Sequence, residues 1–253
     1  MARRATIING ARTQHQNLLV LDAGNSLIGE QFNSREPAPK TQGRSSVEIL
    51  NRLGYDVVAL GDQDLSLGQE ELVKRLSEAR AFTFVSANVS DQATGQLLAR
   101  PYVIREIGGH RVALIGLTGQ VSEAATGFTL VPPLVAARDY VRQLESQADV
   151  IILLSNAGLE ANKTIGSQVP GIDLIISGGQ EALPEPLQLP GGTLIVQADR
   201  SSPGHAGRVV GSLQVEFDPS GRLTHHSWQS IELGPSVPDD PEMAEWAAEA
   251  TKG

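Results

Sequence analysis

Residues 53–68 read LGYDVVALGDQDLSLG, and this stretch decides the fold. Residues 56–60 form a short, apolar, β-branched run that reads as a buried strand. Gly61-Asp62-Gln63-Asp64 follows as a polar turn, and a helix begins near Gly68. Strand, polar turn, helix is the order in which open α/β sheets present chemistry at strand ends. The order recurs elsewhere. Residues 17–21 (NLLVL) exit into Asp22-Ala23-Gly24-Asn25, and residues 149–154 (DVIILL) exit into Asn156-Ala157-Gly158. Residues 172–176 (IDLII) exit into Gly178-Gly179-Gln180-Glu181.

Helical patterns lie between these strands. Residues 2–13 read as a helix, and 45–53 as an amphipathic one with Ser45 or Ser46 as cap and Gly54 as stop. Residues 70–79, a span after Pro132-Pro133, and a short stretch ending at Gln168 complete the set. Residues 26–42 read as loop. Residues 82–87 read as a strand, and 102–107 with 111–117 as a hairpin around Gly108-Gly109. Near the end, residues 193–197, 208–217 and 222–233 read as strands, with a turn at Asp218-Pro219-Ser220-Gly221. Buried strands alternating with helices predict a mixed sheet covered by helices, and the β-rich end predicts a second sheet. Residues 1–233 are expected to form one domain, followed over 234–253 by a Pro-rich linker and a helix anchored through Trp246.

Composition narrows the partners. Of 253 residues, 40% are hydrophobic and 19% charged, which suits a globular protein with a sizeable core. The net charge of −9, without a Lys/Arg cluster, disfavours nucleic acid and anionic membranes. The partner is expected to be a protein or a small molecule. The absence of cysteine excludes disulfides, zinc–thiolate sites and a cysteine nucleophile. No apolar run reaches the roughly 18 residues of a membrane helix, and no signal-peptide pattern is visible at the start.

Several segments, in order, resemble the catalytic domain of the 5'-nucleotidases, within the metallophosphoesterase superfamily. They are Ala2-Arg3-Arg4-Ala5-Thr6, Leu21-Asp22-Ala23-Gly24, residues 54–61 (GYDVVALG), Ser86-Ala87-Asn88-Val89, Ile115-Gly116-Leu117-Thr118 and residues 169–176 (VPGIDLII). The resemblance implies a four-layer α/β/β/α sandwich of two facing mixed sheets, here without the family's first strand. It implies an ancestry in phosphoester hydrolysis at two metal ions, which bridge the phosphate and activate water. The family is often exported, but this sequence leaves the location open.

The family's centre needs imidazoles and carboxylates at five strand-exit turns. The first, Asp-x-His, would precede Ala2, where this sequence begins. The second should end Gly-Asp; here Gly24-Asn25 stands. The third should supply Asn and His; here these positions are Asp62 and Gln63, followed by Asp64. The fourth should supply His; here it is Asn156. The fifth, Gly-Gly-His-x-His, is here Gly178-Gly179-Gln180-Glu181-Ala182. Neutral amides are poor ligands for a transition metal, Asn25 cannot bridge two dications, and Asp62 would repel a phosphate. His15, His110, His205, His225 and His226 form no compensating set. The expectation is a catalytically inactive homologue that binds or scaffolds, with no metal cofactor. The alternative is a residual hydrolase using Asp22, Asp62, Asp64 and Glu181 to hold Mg or Ca.

Overall fold

The computed structural model describes residues 1–28, 38–120, 125–200 and 207–250. The chain opens with helix α1 (Ala2–Gln14), strand β1 (Leu21–Asp22) and helix α2 (Arg44–Leu53). Strand β2 (Val57–Ala59), a 3₁₀ turn (Asp64–Leu67), helix α3 (Gln69–Ser77), and strands β3 (Thr83–Val85) and β4 (Val89–Asp91) follow. Strands β5 (Tyr102–Ile107), β6 (His110–Leu117) and β7 (Phe128–Leu130) precede helix α4 (Pro133–Leu144) and strand β8 (Val150–Ser155). Helix α5 (Leu159–Gln168) leads to β9 (Leu174–Ser177), β10 (Leu187–Gln188) and β11 (Leu194–Val196). The long hairpin β12 (Val209–Phe217) and β13 (Leu223–Glu232) precedes helix α6 (Pro241–Ala250).

Among the described residues, β1-β2-β3 form a parallel sheet and β10-β11-β9-β8-β6-β5 a mixed one. The pleat explains the layers, because successive side chains point to opposite faces. Val58 and Leu60 pack with α1, α2 and α3, whereas Val57 and Ala59 pack with Leu114, Ile152 and Leu154 of the second sheet. The other face of that sheet, with Ile115, Ile151 and Leu153, lies beneath α4 and α5. The result is the α/β/β/α sandwich. Both faces of the central strands are covered, so their sequences are continuously apolar rather than alternating. Each fully buried Leu or Ile contributes roughly 1.5–3 kcal/mol.

One device sets the start of three parallel strands. Asp56, Asp149 and Asp173 each precede a buried strand. Each accepts a backbone N–H from the neighbouring strand with Oδ2, from Val20 (2.7 Å), Arg111 (2.8 Å) and Ile151 (2.8 Å). Each donates its own backbone N–H to the same residue's carbonyl, at 2.9, 2.8 and 3.0 Å. These closed pairs lie one residue ahead of the first ladder pairs Leu21–Val57 and Val112–Val150, and one ahead of Ile152–Leu174.

The sequence misplaces some local features. Neither Ser45 nor Ser46 caps α2: Gly43, at φ 80°, holds that position. Both serines face inward, where Ser46 Oγ donates to the Leu27 carbonyl and Ser45 Oγ pairs with Thr41 Oγ1. Only the end of 17–21 pairs as a strand, because β1 is just Leu21–Asp22. The short strands β4, β7 and β10 carry too few residues to announce themselves. Of the loop read over 26–42, residues 29–37 lie outside the described residues, as does His205. Helix α6 packs on α1, and Trp246 anchors it: Nε1 donates to Glu48 Oε1 at 2.8 Å, and the Arg52 guanidinium lies 5.2 Å over the ring.

Candidate functional site

The sandwich brings the exit turns of β1, β2, β8 and β9 to one end. Gly24 (φ 114°) and Asn25 (φ 60°) turn the chain out of β1, a backbone region that glycine enters freely and asparagine tolerates. The turn lies hard against the next: a Cβ on Gly24 would meet Gly61 Cα at 2.9 Å, so both positions need glycine's bare backbone. Asn25 then laces the turns together. Its Nδ2 donates to Asp62 Oδ1 (2.9 Å), and its Oδ1 accepts the Gln63 backbone N–H (2.9 Å).

Asp64 is the clamp of this corner and is fully buried. Its carboxyl accepts backbone N–H groups from Gly61 (2.9 Å), Leu27 (3.0 Å), Asn25 (3.1 Å) and Ile28 (3.4 Å). Burial pushes its pKa up to about 7, against the downward pull of the Gly61, Leu27 and Ile28 N–H groups. Burial also raises Asp22, which accepts Gly24 N–H at 2.9 Å and the Ser26 hydroxyl at 2.5 Å.

Asn156, at the exit of β8, joins the cluster by accepting the Asp62 backbone N–H at Oδ1 (3.2 Å). Gly178 closes the ring of turns: a Cβ there would lie 3.3 Å from Asn156 Nδ2 and 3.4 Å from Ala23 Cβ. Asn25, Asp62, Gln63, Asp64 and Asn156 thus form one hydrogen-bonded network. Gln180 and Glu181 lie on the exposed rim, where the Glu181 carbonyl accepts Gln197 Nε2 at 2.6 Å. A hollow of about 670 Å³ lies beside that rim, bounded in part by Ala182, Leu183, Arg208 and Glu232, rather than over the network itself.

Similarity to known proteins agrees with this architecture. Bovine 5'-nucleotidase is 29% identical over an alignment of 267 residues, covering 96% of this chain and 45% of the relative. A probable 5'-nucleotidase of Treponema pallidum is 30% identical over 242 residues, covering 86% of this chain and 39% of the relative. The crystal structure of a 5'-nucleotidase precursor from Thermus thermophilus superposes with a TM-score of 0.84 at 27% identity, over 99% of this chain and 52% of that one. The chain is a 5'-nucleotidase-like metallophosphoesterase domain. A calcineurin-like phosphoesterase from Bacillus subtilis, with a TM-score of 0.77 at 22% identity, covers 100% of this chain and 88% of that one and shares the fold. No family model matches the chain. The chain spans about half the length of the curated relatives it matches.

In this 5'-nucleotidase-like domain the donor set at the exit turns is amide, carboxyl and backbone. Among the described residues, no three His, Cys, Asp or Glu side chains are grouped to hold a metal ion. His110 instead meets the Phe217 ring, centroids 6.1 Å apart, and His225 and His226 lie along β13.

Two further polar chains underlie the cluster, and sequence reasoning missed them. Thr118 Oγ1 donates to the Leu60 carbonyl (2.8 Å) and pairs with Ser86 Oγ (2.9 Å). Asn88 lies in the first of these chains. It is fully buried, and its side chain bonds Thr118 N and the carbonyls of Thr118 and Val131. Beneath the second sheet's exits, Ser155 Oγ donates to Asn162 Oδ1 (2.6 Å), whose Nδ2 donates to Ser177 Oγ (2.9 Å). A serine closing each of two apolar runs was the available signal; Asn162, inside a helix, gave none.

Proposed function

We propose that this domain is a non-hydrolytic homologue of the 5'-nucleotidase catalytic domain, acting as a binding or scaffolding module for a protein or small-molecule partner. Asn25 carries the reading. At the position where the family resemblance calls for a bridging carboxylate, both polar atoms of Asn25 are spent on Asp62 and Gln63. Asp64 is spent likewise on backbone N–H groups, and Asn156 Oδ1 on Asp62. Hydrogen bonds among the turns stand where two dications would need free carboxylates and imidazoles. The residues do not fit a two-metal centre, so no hydrolytic step is derived for them. Residues 1–233 would act as the folded unit, with 234–253 as an extension docked through α6.

Loss of one preorganised contact to the transition state typically costs two to three orders of magnitude in rate. Here the bridging carboxylate and every aligned imidazole are replaced together, and without an activated water nothing remains to attack phosphorus. The expected outcome is no hydrolysis of nucleotides, sugar nucleotides or an aryl phosphate above background, with Mg, Mn, Ca or Zn added. The check is phosphate release by the purified chain beside an Asp62→Ala variant, which leaves the buried Asp64 clamp in place. Metal-dependent turnover that disappears in the variant would make the acidic turns a remodelled hydrolase site.

A further inference from the structure

We infer that the open edge of β1 is a docking site for a protein partner, which adds an extended, apolar segment beside β1 as a further strand. The inference rests on the binding part of the proposed function and names the partner as a polypeptide. Val57, Val58, Ala59 and Leu60 are all 0% exposed, whereas Leu18, Leu19, Val20 and Leu21, equally apolar and one strand away, are only half-buried. Among the described residues β1 pairs with β2 alone, so its far side is an edge. Val20 closes its ring with Asp56 on the β2 side, so Leu19 and Leu21 turn their N–H and C=O toward that edge. No described residue accepts the backbone N–H of Asn17, Leu18 or Leu19.

The β12–β13 hairpin stands across from this edge. It too pairs with no further described strand, and no hydrogen bond among the described residues joins it to residues 17–22. Its inward Leu213, Phe217 and Trp228 nevertheless cover the second sheet in the same layer as Leu19 and Leu21. Arg4 marks the seam between the two. Its guanidinium hydrogen-bonds the Tyr55 hydroxyl and interacts with Asp22 of β1, and its Nη2 lies 3.3 Å from where a Cβ on Gly207, just ahead of β12, would stand. On the hairpin side, Trp228 Nε1 is buried without a hydrogen-bond partner. At the hairpin base, Val209, Ser230 and Arg3 help to bound the hollow of about 670 Å³. The backbone decides what can fill such a seam. A helix or a small apolar molecule would leave the Leu19 and Leu21 backbone groups unpaired, whereas an extended segment pairs with them along its length. Its side chains would alternate, one row toward Leu19, Leu21 and Trp228, the other toward Val20 and the buried side of α1. Both rows meet apolar surface. The partner segment is therefore uncharged and β-branched on both faces, over about six residues to match 17–22.

The test uses the full chain and a fluorescein-labelled peptide with a core of about six valines and isoleucines between lysines. The control peptide has the same ends and a proline in mid-core, which removes a strand donor without removing apolar surface. Anisotropy should show saturable binding with a Kd of about 1–100 μM, and the control should bind at least about tenfold more weakly. Hydrogen exchange should find the Leu19 amide fast in the free chain and at least about tenfold slower with peptide, while the β2 amides stay unchanged. Leu19→Pro removes an N–H that has no partner in the free chain, and should weaken the peptide about tenfold. If that variant misfolds, the exchange measurement decides alone. Equal binding of the proline control, a Leu19 amide already slow without peptide, or no slowing at saturation would overturn the inference. So would protection that grows with protein concentration alongside a dimer in sedimentation, since the occupant would then be a second copy. Phosphate release from AMP by the same preparation keeps the readings apart. A chain that neither hydrolyses AMP nor binds the peptide loses only the docking edge; one that hydrolyses AMP and binds the peptide loses only the non-hydrolytic reading.

Discussion

The parallel strands of this molecule begin and end by different means. At their N-terminal ends Asp56, Asp149 and Asp173 repeat one two-bond ring with the neighbouring strand. Each ring is local to one strand pair. At the C-terminal ends no such ring repeats among the described residues. Asp64 gathers N–H groups from two turns, Asn25 ties Asp62 to Gln63, and Asn156 reaches across from the second sheet. The difference is one of coupling. A ring at the start can fail alone, whereas the exit turns share partners and fail together, as contacts in one network do.

The sharpest way to break the comparison is Asp64→Ala. It leaves the Gly61, Leu27 and Asn25 N–H groups without acceptors in a buried corner. At about 1–3 kcal/mol for each orphaned group, the loss should be on the order of 5 kcal/mol in urea unfolding. A loss below about 1 kcal/mol would show that Asp64 is not the clamp.

The next effect is pH. Burial holds Asp64 up at about 7 and Asp173 at about 6, against an ordinary 3.8 in the unfolded chain. Between those values the folded state binds protons more tightly. Their contribution is therefore full below about pH 4 and is lost as pH rises through 6 and 7. Asp149 runs the other way: its bonds from Arg111 hold it at about 2, so its share is present above pH 4 and lost as pH falls through 2. The unfolding free energy from urea titrations should peak between about pH 4 and 5 and decline toward pH 7, by as much as about 4 kcal/mol from Asp64, with the midpoint following it. Asp64→Asn should flatten most of that decline. A midpoint that rises steadily from pH 4 to 7 would contradict the sign.

These two ends also differ in how far the sequence disclosed them. An aspartate before an apolar β-branched run marks Asp56, Asp149 and Asp173, and the strand starts follow because the ring needs only the neighbour's backbone. The layers follow too, since doubly buried strands must be apolar throughout. The exit positions Asn25, Asp62, Gln63 and Asn156 were found by family resemblance, yet their pairing was not legible. It depends on Gly24 and Gly61 letting two turns approach within contact distance, which is tertiary geometry. In the sequence Asp62 and Asp64 are two aspartates of one polar turn, with nothing to tell them apart. Only the fold reveals that one is buried in N–H donors and the other half-exposed. Asn162 gave no sign, because a polar residue within a helix ordinarily faces water.

A smaller effect tests the independence of the N-terminal rings. Asp173→Ala removes the acceptor of Ile151 N–H while the reciprocal backbone bond remains. The cost should be about 2 kcal/mol, and Asp173→Asn, which keeps an acceptor, should cost less than about 0.5 kcal/mol. Combined with Asp64→Ala, the losses should add within about 0.5 kcal/mol. Strong non-additivity would mean that the two ends of the sheet are one network after all.

The smallest expected effect asks whether Asn25 is what separates this corner from a cation site. Asn25→Asp keeps a side chain that tolerates positive φ but replaces the Nδ2 donor to Asp62 with an oxygen. Two carboxylates then face each other in a half-exposed turn. With solvent screening the cost should be roughly 1 kcal/mol at neutral pH. A divalent cation would relieve that repulsion. Millimolar Ca or Mg should therefore raise the melting temperature of the variant, by about 1.4 kcal/mol of stability at ten times its Kd. The unmodified chain, whose Asn25 already fills the gap with a hydrogen bond, should not respond. Equal stabilisation of both chains would mean that Asp22, Asp62, Asp64 and Glu181 hold a hard cation despite Asn25. The oxygen-ligand hydrolase, rather than the amide-laced binding cleft, would then be the reading to pursue.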